Sequence, residues 1–539
     1  MRDGAGSRSA RRGASIPAVP DDRDPNTTDG PAGERPAGDG ADAPLASLSE
    51  PGSEVGLGAG ADAPFEPTIA EIEAHPIKEI FTIAAPTIVT MTSYTVMQFI
   101  DGFMVTKIDE DPVYLSAQGN GGIIAWLTMS LLLGLTTVVN SYVSQNLGAG
   151  KPREGAAYAW NALWISVAGW VVVMLPVLAL TPSIFGALGH DDRLFELETG
   201  YAQIVLAGGV LTLCGRALGH YFYGMHKPTV VMVAVLTGNV VNVFANWVLI
   251  FGNLGAPAMG VAGAAIGTII GTAFEFVIPL VIFLGPRYAR EFGTRAAWRV
   301  SKRHLADIFR IGWPGALMFA NEMACWTYLM VALIPRAAEA AGQSPVLANT
   351  AGWIGLRYMH LSFMPTVGLS IAITAIVGKC MGMNRPDLAS SRTWLAFRLG
   401  IGYMGVCGVL FFLFREPLVD LFISAETTEA ERSQIIQLGS QVLIAAAIFQ
   451  LFDAVAIILS GALRGAGDTV WPGVATLVLS WTCIVGVGHL LIEVAPTLGA
   501  ASPWIGAAAF LIALGLAMLV RFVGGRWRSM RLVKDDPTA

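Results

Sequence analysis

The chain has 539 residues, of which 54% are hydrophobic and only 14% are charged, and its formal net charge is −6. A soluble globular protein carries about 25% charged residues, so this composition excludes the soluble classes and predicts a membrane protein. The five cysteines are scattered and form no CxxC pair. We therefore expect them to be small apolar packing residues rather than a disulfide or zinc framework.

The N-terminal segment, residues 1–70, is rich in Gly, Ala, Pro, Asp and Arg and nearly free of large apolar side chains. Such a segment cannot bury enough surface to offset its chain entropy, so we predict a disordered tail. Arg11 and Arg12 are similar to a twin-arginine signal, but no apolar run follows within reach. We expect no cleaved signal peptide.

Twelve apolar runs long enough to cross a bilayer follow, the first beginning near Ile77. Each must be helical, because backbone groups find no water in the membrane and a barrel would show ten-residue alternation instead. The predicted fold class is an all-α membrane protein of twelve transmembrane helices. Its two six-helix lobes are related by a pseudo-twofold axis along the membrane normal.

Basic residues in the connections predict the orientation, because cytoplasmic connections carry an excess of Lys and Arg. One set of connections and the C-terminal tail hold seventeen basic residues, and the alternate set holds five. The first set comprises Lys151, Arg153, Lys227, Arg287, Arg290, Arg295, Arg299, Lys302, Arg303, Lys379, Arg385, Arg392, Arg464, Arg526, Arg528, Arg531 and Lys534. We predict that this set and both termini are cytoplasmic, and that the protein lies in the plasma membrane.

The two halves of the chain are similar to each other. GLTTVVNSYVSQNLGAGKP at residues 134–152 aligns with GLSIAITAIVGKCMGMNRP at residues 368–386, at a constant offset of 234 residues. Six spans per half make this a parallel repeat, in which a substrate path lies between the halves. The predicted units are an N-lobe at 71–286, a basic loop at 287–303, a C-lobe at 304–526 and a C-terminal tail at 527–539.

Four acids lie deep in the predicted spans: Asp101, Glu275, Glu322 and Asp453. Asp453 precedes Arg464 by 11 residues, about 16 Å of helix, which places it near the middle of an apolar core roughly 30 Å thick. Glu322 has a similar depth, whereas Asp101 lies nearer the outer end of the first span. A charged carboxylate at mid-depth costs several kcal/mol unless it is protonated, paired or bound to a cation.

We therefore expect Glu322, Asp453 and Asp101 to bind a coupling ion, with a packed, hydrogen-bonded acid as the alternative for each. Both interpretations stay open for Glu275. Other polar, aromatic and methionine residues in the spans could either take part in binding or simply pack between helices. They are Asn239, Asn242, Asn246, Arg216, His220, Arg357, His360, Met318, Trp326, Met359 and Phe363. Asn242 and Asn246 share one helix face and are suited to hold a cation or water beside Asp101, or to join helices.

Enzyme motifs are missing from the sequence, which contains no P-loop, HExxH or GxSxG pattern. We expect no ATP-driven step, no enzyme activity and no cofactor. An integral-membrane enzyme, the alternative from another class, has no motif to support it.

The chain from Lys78 to Arg526 resembles the MATE (multidrug and toxic compound extrusion) transporters. The resemblance rests on several motifs in order: AAPTIVTMTSYTVMQFIDGFMV, GLTTVVNSYVSQNLGAGKP, NVVNVFANWVLIFGNLGAPAMGVAGAAIGT, PGALMFANEMACW and FQLFDAVAIILSGALRGAGDT. It implies a C-lobe cation site at Glu322 and Asp453 and an N-lobe acid at Asp101 with Asn242 nearby. The DinF-type branch has an acid at the position of Asn246 and none at that of Glu322, so the resemblance favours the NorM-type branch.

The resemblance further implies antiport of organic compounds, cations or other amphipathic drugs, against Na⁺ or H⁺. If the ion is Na⁺, Glu322 and Asp453 are its ligands; the sequence leaves the choice of ion open. A flippase for lipid-linked precursors from the same superfamily is the alternative, and it would favour a strongly cationic cavity. We expect a monomer in the lipid bilayer with no nucleic-acid partner.

Overall fold

The computed structural model describes residues 75–109, 111, 113–424 and 427–533. The predicted N-terminal tail, residues 1–70, lies outside the described residues, as do residues 534–539 of the predicted C-terminal tail. Throughout the described ranges the chain forms helices joined by turns, and these ranges contain no β-strand.

Twelve helices in the described residues are long and apolar enough to cross a membrane, which confirms the predicted fold class. We number them α1 (Pro76–Val105), α2 (Val113–Gly148), α3 (Pro152–Leu188), α4 (Asp192–Gly224), α5 (Pro228–Phe251), α6 (Gly260–Leu284), α7 (Lys302–Ala340), α8 (Pro345–Gly382), α9 (Pro386–Leu413), α10 (Glu429–Ala466), α11 (Val470–Val494) and α12 (Ala501–Val523). We refer to α1–α6 as the N-lobe and to α7–α12 as the C-lobe, following the sequence prediction. The predicted lobe boundaries at 71–286 and 304–526 stay predictions.

Local sequence rules set the ends of these helices. Helices α3 and α9 begin at Pro152 and Pro386, the prolines that end the two copies of the repeat motif. Proline suits the first helical turn, because the N–H that it lacks would have no partner there. Helix α10 begins with a capping box formed by Thr428 and Glu431, and the chain leaves it through Gly467 at φ 96°.

Repeat-related residues meet where the two lobes touch. A Cβ atom at Gly148 would overlap the carbonyl oxygen of Lys379, and one at Gly382 would overlap the carbonyl oxygen of Gln145. Gln145 and Lys379 stand at the same spacing in the sequence as the two glycines. The contact is therefore the same on both sides of the pseudo-twofold axis, and only glycine allows the backbones of α2 and α8 to come so close.

We call the end of the helix bundle that carries residues 149–151, 225–227, 285–301, 383–385 and 467–469 the basic end, and the other the opposite end. Hydrogen bonds join the lobes at the basic end. Asn140 Nδ2 donates to Ile371 O (3.2 Å), Ser141 Oγ to Arg464 O (2.7 Å) and Gln145 Nε2 to Gly465 O (2.9 Å).

Charged side chains strengthen the same closure. Arg392 of α9 forms a 2.6 Å ion pair with Glu79 of α1, and both side chains are largely buried. Asp307 of α7 accepts a hydrogen bond from Tyr158 of α3, and its carbonyl oxygen accepts one from Tyr142 of α2. The two lobes are thus closed against each other at the basic end.

Candidate functional site

Two C-lobe acids, Glu322 and Asp453, lie on different helices and share one region. Glu322 of α7 is exposed and Asp453 of α10 is partly exposed. The two carboxylates are close enough for their charges to interact. Neither has a hydrogen bond or an ion pair with any described residue. No basic side chain among the described residues therefore compensates either carboxylate.

The orientation of Glu322 is fixed by its neighbour Asn321, which is buried. Asn321 Nδ2 donates to Ser480 Oγ (2.8 Å), and Trp481 Nε1 donates to Asn321 Oδ1 (2.7 Å). Ser480 and Trp481 begin the widened, π-type turn of α11 at Ser480–Val487. Since Asn321 is held against α11, the adjacent Glu322 must point along a different face of α7.

Asp101 of α1 is held by Asn246, one of the two asparagines that the sequence analysis selected. Asn246 Nδ2 donates to Asp101 Oδ1 (2.7 Å) and lies 3.2 Å from Asn242 Oδ1. The Asn246 Oδ1 atom is buried and has no hydrogen-bond partner. A Cβ atom at Gly267 of α6 would overlap this oxygen, so α6 presses the asparagine towards α1.

The fourth acid, Glu275, belongs to a cluster that the sequence analysis missed. Tyr94 of α1 donates its hydroxyl to Glu275 Oε2 (2.9 Å), and the guanidinium carbon of Arg216 lies 3.9 Å from the centroid of the Tyr94 ring. The positive charge of Arg216 is also close enough to attract the carboxylate of Glu275. Nothing in the sequence around Glu275 suggested a partner, because its partners come from α1 and α4. These contacts favour a charge-balanced, hydrogen-bonded acid.

The remaining candidates differ in their exposure. Met359 is buried in the C-lobe core, which fits the packing interpretation. Arg357 is exposed, with its guanidinium 5.6 Å from the Phe422 ring. Met318, Trp326 and Phe363 are partly exposed, and His220 and His360 each have one buried ring nitrogen without a hydrogen bond.

The MatE family model matches residues 86–248 and 340–487, more than half of the chain. The chain belongs to the MatE family of transporters. One matched segment falls in each lobe of this MatE transporter, in agreement with the repeat. Asp101, Asn242, Asn246 and Asp453 lie inside the matched segments, whereas Glu322 lies between them. Membership of a transporter family also confirms the prediction that the chain is not an enzyme.

Curated relatives of this MatE transporter span nearly its whole membrane region. A probable multidrug resistance protein NorM of Thermotoga maritima is 26% identical over 436 residues, which cover 78% of this chain and 87% of the relative. The multidrug resistance protein MdtK of Edwardsiella ictaluri is 25% identical over 462 residues, covering 84% and 95%. These relatives confirm the resemblance to the NorM-type branch.

Solved structures share the fold of this MatE transporter. A structure described as the outward-facing conformation of a multidrug resistance MATE family transporter superimposes with a TM-score of 0.74. It is 22% identical, and the superposition covers 85% of this chain and 97% of that one. At this identity the likeness concerns the fold alone.

The predicted site residues thus fall into two groups, Glu322 with Asp453 in the C-lobe and Asp101 with Asn242 and Asn246 in the N-lobe. In the described residues no cluster of three or more His, Cys, Asp or Glu side chains is suited to a metal ion. A Na⁺ ion at Glu322 and Asp453 would need further oxygens from water, backbone or substrate, because hard cations take about six oxygen ligands. A proton needs no such additional ligands.

Proposed function

We propose that this MatE transporter is a secondary active multidrug exporter that exchanges organic compounds for Na⁺ or H⁺ by alternating access. The observation that carries the proposal is the pair Glu322 and Asp453: two interacting carboxylates with no basic partner among the described residues. Asp101, supported by Asn242 and Asn246, is proposed as a further ion-responsive acid in the N-lobe.

The energetics of two neighbouring acids support ion binding. A carboxylate at membrane depth costs several kcal/mol, and a second one nearby raises the cost of ionising both. Because no Lys or Arg among the described residues pairs with them, we propose that a proton or Na⁺ neutralises them. One positive charge that moves through 100 mV supplies about 2.3 kcal/mol, so the ion can drive substrate against a gradient.

The closure between the lobes supports alternating access. We propose that the basic end and both termini face the cytoplasm, in accord with the excess of Lys and Arg there. The closed basic end is then a closed cytoplasmic end, which differs from an inward-facing state. An ion or substrate shifts the balance between this state and an inward-facing one only by its different affinity for the two.

The names of the relatives support drugs and other organic compounds as substrates, and the unpaired acids favour cationic ones. We further propose that the protein works as a monomer in the plasma membrane. The flippase alternative has less support, because the matched relatives are named as multidrug resistance proteins and the C-lobe group is acidic.

The direct test is efflux of a cationic dye from proteoliposomes under a Na⁺ gradient alone and then under a pH gradient alone. The proposal expects one of the gradients to drive efflux in the wild-type protein. Glu322→Gln and Asp453→Asn should each abolish gradient-driven efflux while the proteins stay folded. Glu493→Gln, an exposed acid at the end of α11, is the matched control and should transport normally.

Two results would contradict the proposal. Normal efflux by Glu322→Gln and Asp453→Asn at equal incorporation would show that these acids do not form the ion site. Efflux that proceeds at the same rate without either gradient would remove the coupling itself.

A further inference from the structure

Between Asp453 and Arg464, helix α10 is buried on every side except along one stripe. Between Asp453 and Arg464, the partly exposed residues are Asp453, Ile457, Ser460 and Arg464, and all the others are buried. These four are spaced by three or four residues and therefore share one helix face. Eleven residues make about three turns, so Asp453 and Arg464 point in nearly the same direction, about 16 Å apart along the axis.

Arg464 ends this stripe as a cation without a partner. Its guanidinium has no hydrogen bond, ion pair or ring contact with any described residue. Its backbone oxygen, in contrast, is fixed by Ser141 of the N-lobe. Helical side chains lean towards the helix N-terminus, so Arg464 leans away from the basic end and towards the level of Asp453.

One side chain of helix α4 in the N-lobe, His220, lies near Arg464. His220 is close enough to feel the charges of both Arg464 and Arg216, and its Nδ1 atom is buried without a hydrogen bond. Arg216 is balanced by Glu275 and covered by the Tyr94 ring. Arg464 is thus the uncompensated charge here, and the His220 Nδ1 atom is an unused hydrogen-bonding group beside it.

We propose that Arg464, assisted by His220, binds the anionic group of a substrate, a carboxylate above all. The guanidinium fork matches a carboxylate in two parallel hydrogen bonds, and a partly buried arginine without a partner is costly unless a ligand pairs with it. Together with Asp453 on the same stripe, it selects amphipathic zwitterions over simple cations.

This inference rests on the proposed exporter function and adds the substrate class. The two proposals are tested separately, because they concern different residues and are measured with different probes. The acids Glu322 and Asp453 couple the ion for every substrate, whereas Arg464 matters only to substrates that carry an anionic group.

The test uses the full chain in nanodiscs and two dyes, a rhodamine with a free carboxylate and its methyl ester. The dissociation constants of both are measured by fluorescence anisotropy for the wild type, Arg464→Gln and Arg464→Lys. Arg464→Gln should weaken binding of the free-carboxylate dye about tenfold or more, as expected for a lost charge-assisted hydrogen bond. Binding of the ester should change less than about twofold.

The lysine variant keeps the charge without the fork, so its loss for the free-carboxylate dye should be smaller than that of Arg464→Gln. It also keeps the test valid if the glutamine variant folds poorly. Arg357→Gln is the control, since Arg357 is another exposed arginine of a C-lobe span, and it should leave both constants unchanged.

Equal weakening for both dyes, or no change for either, would overturn the anion site. Wild-type protein that binds the ester but not the free-carboxylate dye would overturn it as well and leave the exporter proposal intact. Binding of both dyes as predicted, but without gradient-driven efflux, would support the anion site and contradict the exporter.

Discussion

The ion pair between Glu79 and Arg392 should hold the lobes closed at the basic end. The nitrogen and oxygen lie 2.6 Å apart, and the side chains are 13% and 4% exposed. Glu79→Gln would remove the negative charge that acts on Arg392 and Lys379, and both basic side chains are buried. Breaking one partner out of a buried pair costs about 3–5 kcal/mol.

This cost applies to the closed state and falls when the basic end opens, because water can then reach Arg392. If opening recovers about 3 kcal/mol, the ratio of open to closed protein rises about a hundredfold. We therefore predict that Glu79→Gln shifts the population towards the state that is open at the basic end.

Distances between two spin labels, measured by double electron–electron resonance, would report this shift. Spin labels at positions 151 and 385, which are related by the repeat, report the separation of the lobes at the basic end. The five native cysteines must first be replaced. The wild type should show mainly the short distance, and Glu79→Gln should show a longer one.

Glu291→Gln is the control for this measurement. Its 3.7 Å pair with Arg287 is exposed and joins residues of one short helix, so the variant should leave the distances unchanged. An unchanged distance distribution in Glu79→Gln would refute the reasoning, because the ion pair would then not stabilise the closed state.

Two smaller changes test the packing between helices. Gly382→Ala should disfavour the closed state in the same distance measurement, because its Cβ would overlap the Gln145 carbonyl oxygen; Gly402→Ala, with open space around it, should not. Tyr94→Phe removes the hydrogen bond to Glu275 and should lower stability by about 1–3 kcal/mol, seen as a lower melting temperature of purified protein. An unchanged melting temperature would show that the Glu275 contact contributes little.

The twelve helices and the repeat could be predicted because both depend on residues that are close together in the sequence. Long apolar runs leave a chain in a membrane no other choice than helices. Glycine, a basic residue and proline end each copy of the repeat motif, and Pro152 and Pro386 do begin the next helices. The predicted depth of Asp453 rests only on the helical rise per residue, which converts its separation from Arg464 in the sequence into ångströms.

Partners from distant parts of the chain could not be predicted in the same way. Glu275 meets Tyr94 across 181 residues, and no spacing rule connects them. The sequence analysis placed Asn246 beside Asp101 as a residue that could hold a cation or water, but it did not predict that the Asn246 amide would donate directly to the acid. The pairing of Gly148 with Lys379 depends on how two whole lobes meet, which is a property of packing rather than of either motif.

The central claim is that Glu322 and Asp453 carry the coupling ion. The most direct measurement is ion uptake into proteoliposomes when an outward gradient of a cationic substrate is imposed, with internal indicators for Na⁺ and for pH. The account predicts that the wild type takes up one of these ions, and that the double variant Glu322→Gln/Asp453→Asn takes up neither. Equal uptake by the double variant and the wild type would contradict it.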